Sequence, residues 1–324
     1  MIQSSKAARR RSLSVAAAAA AACAAAVLVA ACGGGTSQFE PFVAERVFAF
    51  GDESSALRSD GKRYGVNGVD ATTSAFDCRL QPLWVQSIAA AYSLVFAECN
   101  VAAPPAVPKA FMFAAVGAKV ADVAAQVEAQ AAAGGMRAKD LALVLAGAND
   151  VLALYAQYPA VPEAALITEA GLRGERMAAV VNRLVNLGAK VIVSNLPDMG
   201  MSPFARAEAR ANAGSGFDRA AFISRLTTAF NERLGVKVLL DGRFVGLVQM
   251  DLRTQSAARS PGSFGFIDVS TAACTVALPD CTTATLVTGA TSSNYLWADG
   301  TRLSSGGQSA LYSLAIDRAQ RNPF

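Results

Sequence analysis

Residues 47–55 read VFAFGDESS, and this segment decides the fold class. Its first four residues are apolar, as in a buried strand, and a Gly-Asp corner follows them. Two serines then stand where a helix could begin, or could cap one. A strand that ends sharply places side chains at the carboxyl edge of a sheet, where open α/β folds build their sites. We therefore predict that the functional site lies at this corner.

The rest of the chain alternates strand and helix patterns, which predicts one parallel, doubly wound sheet. A run with three prolines, residues 101–108, is predicted to be a loop. The predicted strands cover residues 42–50, 141–146, 190–195 and 244–251, and the predicted helices cover 84–95, 116–133, 163–187, 218–234 and 305–320. We find no internal repeat, and we predict a single domain over residues 42–324.

The first 31 residues have the pattern of a secretory signal peptide: a basic start, an apolar Ala-rich run and small residues at its end. Cys32 follows Leu-Val-Ala-Ala and resembles the lipid-modified cysteine of a bacterial lipobox. A membrane-spanning anchor is the alternative, since the run is nearly long enough to cross a bilayer. We predict a signal peptide over 1–31, a lipidated Cys32 and a tether over 32–41. The protein would then be an exported lipoprotein of the bacterial cell envelope. Because no aspartate follows Cys32, we place it in the outer membrane, facing the periplasm or the surface.

The charge balance argues against a nucleic-acid partner. Residues 1–31 hold four of the 29 Lys and Arg residues and none of the 25 Asp and Glu residues, so the mature chain has no net charge. The predicted partner is instead the membrane, through the lipid anchor. No cofactor or metal is predicted, because neither cysteine pair has zinc-site spacing and the chain contains no histidine.

Four cysteines remain in the mature chain besides Cys32. An even number in an exported protein suggests two disulfides, for which three pairings are possible. We favour Cys78–Cys99 and Cys274–Cys281 because each pair is local and encloses loop-like sequence. Free buried thiols are the alternative.

Three further segments could carry chemistry. Gly68 follows an asparagine, and its missing Cβ would let a backbone N–H approach a ligand, although Asn-Gly is also an ordinary turn. Asn149 follows the central strand, where its amide could reach an oxyanion or cap a helix. The third segment, residues 297–303, reads WADGTRL and precedes the last helix.

In this order and spacing, these segments resemble the SGNH/GDSL hydrolases, a family of esterases and lipases. The resemblance covers most of the mature chain. Its motifs include Phe50-Gly51-Asp52 and Gly147-Ala148-Asn149-Asp150, a helix with Gln126, a Leu-Pro-Asp loop at 196–198, and a C-terminal stretch similar to the autotransporter-esterase branch.

The resemblance implies a three-layer α/β/α sandwich with a central parallel sheet, similar to flavodoxin, and ester hydrolysis by a Ser-His-Asp triad. It assigns Asp299 to the acid position, and Gly68 and Asn149 to the oxyanion hole. Two positions depart from the family: the nucleophile position holds Glu53 and the base position holds Arg302. An arginine cannot serve as a base near neutral pH.

The two departures match each other chemically. A carboxylate and a guanidinium at touching positions can form a bidentate ion pair, so we predict that Glu53 and Arg302 pair across the former active site, with Asp299 nearby. The alternative is that Arg302 points to solvent.

Three functions follow from these residues. The first is a degenerate, non-hydrolytic binding protein for a small ester, lipid or glycan. The second is an esterase with Ser54 as a displaced nucleophile, which needs an unusual base such as Asp299, Glu53 or Lys62. The third is a glycosidase that uses Glu53 with Asp299 or Asp150. We favour the first, because Arg302 would keep nearby carboxylates ionised, whereas a glycosidase needs a protonated acid.

Overall fold

The computed structural model describes residues 42–321. The predicted signal peptide, Cys32 and the tether lie outside the described residues, as do residues 322–324. Within the described part, no helix combines the length and the apolar character needed to cross a membrane.

The centre of the fold is a five-stranded parallel sheet whose three central strands are almost completely buried. Apolar side chains that fill both faces are typical of such a sheet, because helices cover it on either side. The strand order is β2-β1-β3-β4-β5. The strands are β1 (Arg46–Gly51), β2 (Ala110–Met112), β3 (Asp140–Leu145), β4 (Lys190–Ser194) and β5 (Val245–Val248).

Eight helices surround this sheet in the described residues, and they form two layers. The helices are α1 (Trp84–Ala91), α2 (Val120–Ala133), α3 (Ala148–Tyr155), α4 (Glu163–Asn186), α5 (Pro203–Ala211), α6 (Arg219–Lys237), α7 (Met250–Arg259) and α8 (Ser305–Arg321). Helix α4 packs between α2 and α6, whereas α1 packs against α8. The predicted three-layer α/β/α architecture is confirmed. A small parallel pair, β6 (Asp268–Ala272) and β7 (Tyr295–Trp297), lies before α8.

Several boundaries differ from the sequence-based prediction. No helix begins after the first corner, because residues 53–55 form turns and the next helix starts at Trp84. The cap role considered for the two serines is therefore wrong. The pattern also missed α3, α5 and α7, and it missed β2, whose three residues are too few to show a period.

The corner after β1 requires glycine. Gly51 has φ +144°, and a Cβ there would lie 2.0 Å from the carbonyl oxygen of Leu145 on β3. No side chain fits at that distance, so β1 and β3 can end side by side only with this residue. The Gln126 amide of α2 secures the corner: it accepts from the Gly51 N–H at 2.8 Å and donates to the Gly51 carbonyl at 3.0 Å.

Both predicted disulfides are confirmed. Cys78 is bonded to Cys99 and Cys274 to Cys281, with Cα atoms 5.7 and 5.8 Å apart. The first bridge encloses α1, whose Trp84, Val85 and Ile88 are fully buried, and the second closes a loop between β6 and β7.

Candidate functional site

The site is centred on the Glu53 carboxylate, which lies in the turn after β1. The side chain is only 4% exposed. One carboxylate oxygen is paired with the Arg302 guanidinium, so the predicted ion pair is confirmed and a solvent-facing Arg302 is wrong. The other oxygen accepts from the Gly117 backbone N–H at 2.8 Å and from the Asn149 amide at 3.0 Å. Both oxygens of the buried Glu53 carboxylate therefore have partners within the protein, as a buried charge requires.

Electrostatics keep this carboxylate ionised. Burial alone would raise the pKa of Glu53, but the charge of Arg302 and the hydrogen bonds from Asn149 and Gly117 outweigh it and lower the pKa. Burial alone would lower the pKa of Arg302, but the charges of Glu53 and Asp299 raise it overall. A general acid must hold a proton near neutral pH, and Glu53 does not have that character.

Arg302 is held by the tight loop between β7 and α8. The backbone N–H groups of Thr301 and Arg302 donate to one Asp299 oxygen at 2.8 and 2.7 Å. The Arg302 guanidinium lies 3.4 Å from the other Asp299 oxygen. Asp299 thus orients the arginine, as the family's aspartate orients its histidine. Its predicted position beside residue 302 is confirmed, although its catalytic role stays a prediction.

The corner after β3 supplies Asn149. Gly147 directly precedes α3 with φ +126°, and a Cβ there would lie 2.5 Å from the Phe230 ring. The Asn149 side chain does not cap the helix; it donates to Glu53 and to the Ala118 carbonyl, 3.1 Å away. The predicted position of Asn149 at the site is confirmed in this sense, and its role in an oxyanion hole stays a prediction.

Asp150 contacts two helices rather than the Glu53 carboxylate. One oxygen accepts from the Val120 N–H at the start of α2 at 3.0 Å, and the other lies 3.2 Å from Arg173 of α4. Burial raises the pKa of Asp150 despite these partners. Asp150 therefore joins two helices, and its contacts give no support to a catalytic pair with Glu53.

Gly117, rather than Gly68, brings a backbone N–H to the site. The missing Cβ of Gly68 leaves room for Leu80, and its carbonyl accepts from the Asp77 N–H at 3.1 Å. The oxyanion-hole role of Gly68 thus stays a prediction without a supporting contact. Gly117 was missed because the sequence pattern assigned it to the predicted helix 116–133. Had the short strand β2 been recognised beside β1, Gly117, which follows it, would have been placed at the carboxyl edge of the sheet.

Asp52 and Ser54 form a second group in the same turn. Asp52 is 1% exposed, and its carboxylate accepts from the Ser54 N–H at 2.8 Å. Burial and the neighbouring Glu53 charge raise the pKa of Asp52 to about 7. Ser54 is half-buried, and its carbonyl accepts from Gln308 at 3.1 Å. The next residue, Ser55, is buried and accepts from the Trp84 indole N–H at 3.0 Å.

Lys62, one of the bases considered for Ser54, is engaged elsewhere. Its ammonium lies 2.9 Å from the Asp280 carboxylate. That bridge joins the segment after the first corner to the loop closed by Cys274 and Cys281. Over residues 42–321 no cluster of three or more His, Cys, Asp or Glu residues is placed to hold a metal ion.

The comparison with protein families finds one match. The family described as GDSL-like Lipase/Acylhydrolase matches residues 47–314, which is most of the chain. Its span runs from β1, through both corners, into α8. No curated protein sequence matches this chain.

Solved structures give three further similarities. A lipase, Lip_vut3, from a goat rumen metagenome is 13% identical, with 85% of this chain and 97% of that chain covered and a TM-score of 0.45. The acetyl xylan esterase AlAXEase is 12% identical, with 84% and 98% covered and a TM-score of 0.44. A G-D-S-L family lipolytic protein from Veillonella parvula is 11% identical, with 84% and 96% covered and a TM-score of 0.42. Similarity this low transfers no substrate to the present chain.

Proposed function

The chain belongs to the GDSL-like lipase/acylhydrolase family, and from that premise we propose that it is an exported lipoprotein that has kept the fold and lost hydrolysis. In this proposal the carboxyl edge of the sheet is a binding surface of the cell envelope. Its ligand would be a small ester, a lipid or a glycan.

The proposed loss of hydrolysis rests on one observation: a paired carboxylate fills the position of the nucleophile. A serine nucleophile must lose a proton to a base before it attacks a carbonyl. Position 53 holds a glutamate, position 302 holds an arginine, and the chain has no histidine. The Asn149 amide and the Gly117 N–H, which could stabilise an oxyanion, both donate to Glu53 instead. The Glu53 carboxylate therefore takes the place that a reacting ester oxygen would need.

Export and lipid attachment are supported by sequence and by the disulfides. The basic, apolar and small-residue order of residues 1–31 ends at Cys32. The two disulfides agree with folding outside the reducing cytosol. Globomycin-sensitive processing and a lipid mass on the N-terminal peptide test this part. An unmodified Cys32 would refute it.

Ester hydrolysis by the purified protein tests the degenerate site. We expect short-chain nitrophenyl esters to be hydrolysed no faster than in a preparation of Ser54→Ala. Turnover that disappears with Ser54→Ala would overturn the proposal. Turnover that both proteins share at equal rates would come from a contaminant, which further purification removes.

A second candidate, an esterase with Ser54 as nucleophile, is favoured by the state of Asp52. A carboxyl group with a pKa of about 7 suits a general base at neutral pH, and Asp52 lies beside Ser54. If this pair were catalytic, Asp52→Asn would abolish turnover as fully as Ser54→Ala. Glu53→Gln would leave turnover in place but move its pH dependence to lower pH, because the Glu53 charge helps to raise the pKa of Asp52.

A further inference from the structure

Four large apolar side chains are exposed between the last turn of α6 and the start of β5. Val236, Leu239, Leu240 and Phe244 are 75, 52, 59 and 37% exposed. We call these four residues, together with Val43 at 59%, the amino-edge patch. Val43 and Phe244 precede β1 and β5, and the strands are parallel, so both lie at the amino edge of the sheet. That edge is opposite the one that carries Glu53.

The exposed leucines are held in place by the fold. The Asn182 amide of α4 donates to the Lys237 carbonyl at 3.1 Å and accepts from the Leu239 N–H at 2.8 Å. Two further N–H groups, of Phe244 and Val245, donate to the Asp241 carbonyl at 2.8 and 2.9 Å. Since both ends of the segment are fixed by hydrogen bonds, Leu239 and Leu240 project from an ordered loop. Exposed apolar clusters on such a loop mark a contact surface.

The charges around the amino-edge patch nearly cancel. Lys237 lies 3.3 Å from the Glu175 carboxylate, and Arg243 lies 2.6 Å from the Asp241 carboxylate. The third cation, Lys190, donates to the Arg243 carbonyl and covers the Phe244 ring. A nearly neutral apolar surface fits the interface of a zwitterionic bilayer, because attachment there depends on apolar insertion.

The proposed lipid anchor would join the domain at this edge, because the first described residue, Phe42, precedes β1. Nine residues, 33–41, separate Cys32 from the first described residue. Fully extended, they span about 30 Å. Three strand spacings, about 14 Å, separate the starts of β1 and β5. A lipid on Cys32 is therefore within reach of the whole edge.

We propose that the amino-edge patch rests on the phospholipid surface that anchors the protein, so that Glu53 and Arg302 face away from that membrane. This inference rests on the proposed membrane attachment, and it narrows the ligand to one that approaches from the aqueous side. Phospholipid of the anchoring leaflet would not reach the site.

Nitroxide labels at two apolar positions test the orientation. Leu240→Cys places a label in the amino-edge patch, and Val116→Cys places one at the carboxyl edge. Val116 is the matched control, because it is an apolar residue, is 52% exposed and adjoins Gly117. Each full-length protein is expressed in bacteria, isolated with its membrane anchor and reconstituted into vesicles of phosphatidylethanolamine and phosphatidylcholine, which are both zwitterionic. Collisions with oxygen, which enters lipid, are compared with collisions with a water-soluble nickel complex.

We expect the ratio of oxygen to nickel collisions to be several-fold higher at position 240 than at position 116. Equal ratios would overturn the proposal, as would protein that does not float with the vesicles. Spin–spin broadening at position 240 alone would show that a second copy covers the patch, and would also overturn it. The N-terminal peptide mass is measured separately. Its lipid content decides the lipoprotein proposal, whereas the label ratio decides the orientation for any membrane-held form.

Discussion

Among the buried carboxylates at the carboxyl edge of the sheet, Glu53 after β1 and Asp150 after β3 lie in different environments. Glu53 and Asp150 are each about 4% exposed, and each contacts an arginine of intermediate exposure. The surroundings nevertheless lower the pKa of Glu53 and raise that of Asp150. The difference comes from the number and direction of donors, since Glu53 also receives the Asn149 amide and the Gly117 N–H.

The two carboxylates have different tasks: Asp150 holds helices together, whereas Glu53 occupies the site. Asp150 ties α2 to α4 and so serves the architecture. Under the proposed function, Glu53 stands where a reacting side chain would be, and its donors Asn149 and Gly117 would otherwise contact a substrate. The backbone of both corners is intact, with Gly51 and Gly147 in place, so the change at the site is one of side chains.

The largest expected effect is a gain of hydrolysis when the two changed side chains are reversed. Glu53→Ser with Arg302→His supplies a nucleophile and a base beside Asp299, and it frees Asn149 and Gly117 to stabilise an oxyanion. We expect turnover of short-chain nitrophenyl esters to rise at least about 10²-fold above the unmodified protein. The control is Glu53→Ala with Arg302→His, which has the base but no nucleophile at 53. A folded serine–histidine variant no faster than this control would show that more than two side chains have changed.

The second prediction concerns the two arginines. Arg302→Gln leaves an ionised, buried Glu53 without a cation, and we expect a loss of about 3 kcal/mol in the free energy of unfolding at pH 7. Arg173→Gln should cost only about 1 kcal/mol, because Asp150 can take up a proton. Urea unfolding measures both values.

The cost of Arg302→Gln depends on pH, because it depends on the charge of Glu53. A lowered pKa contributes stability that is present above the unfolded value, 4.5 for Glu53, and is lost as pH falls through the folded value. The cost of Arg302→Gln should therefore shrink below about pH 4.5, and Glu53→Gln with Arg302→Gln should recover most of the loss at pH 7. Equal losses in the free energy of unfolding for Arg302→Gln and Arg173→Gln would show that the two corners do not differ in this way.

Substitution of Asp52 tests whether the β1 corner carries one negative charge or two. Its pKa is raised to about 7, so the folded protein binds a proton that the unfolded chain releases near pH 3.8. Stability from this group is present below about pH 4 and is lost as pH rises to about 7. We expect Asp52→Asn to add on the order of 2 kcal/mol at pH 8 and nothing at pH 4, as measured by urea unfolding. A gain independent of pH would mean that Asp52 is not the titrating group.

The sequence predicted the parts of the site that follow from local pattern. A Gly-Asp corner after an apolar run and a Gly-Ala-Asn-Asp segment after another located both corners, and charge matching predicted the contact between residues 53 and 302. Gly117 could not be placed in the same way. It lies 64 positions from Glu53, its strand is three residues long, and three prolines precede that strand. Asp52 was also missed, because its raised pKa depends on burial that only the packed fold defines.

The smallest expected effect isolates the part that Gly117 plays beside Glu53. Gly117 has φ +74°, and a Cβ there would meet no atom within 4 Å. Gly117→Ala keeps the N–H that Glu53 accepts, so its only cost is the left-handed backbone, about 1 kcal/mol. Gly135 at the end of α2 has φ +68° and equally open space, which makes Gly135→Ala the matched control. If both changes cost the same in urea unfolding, and neither alters the response of stability to pH, Gly117 serves Glu53 through its backbone alone. A larger loss for Gly117→Ala that disappears below pH 4.5 would mean that the extra methyl group displaces the carboxylate. The β1 corner would then depend on the fit of this loop as well as on its charges.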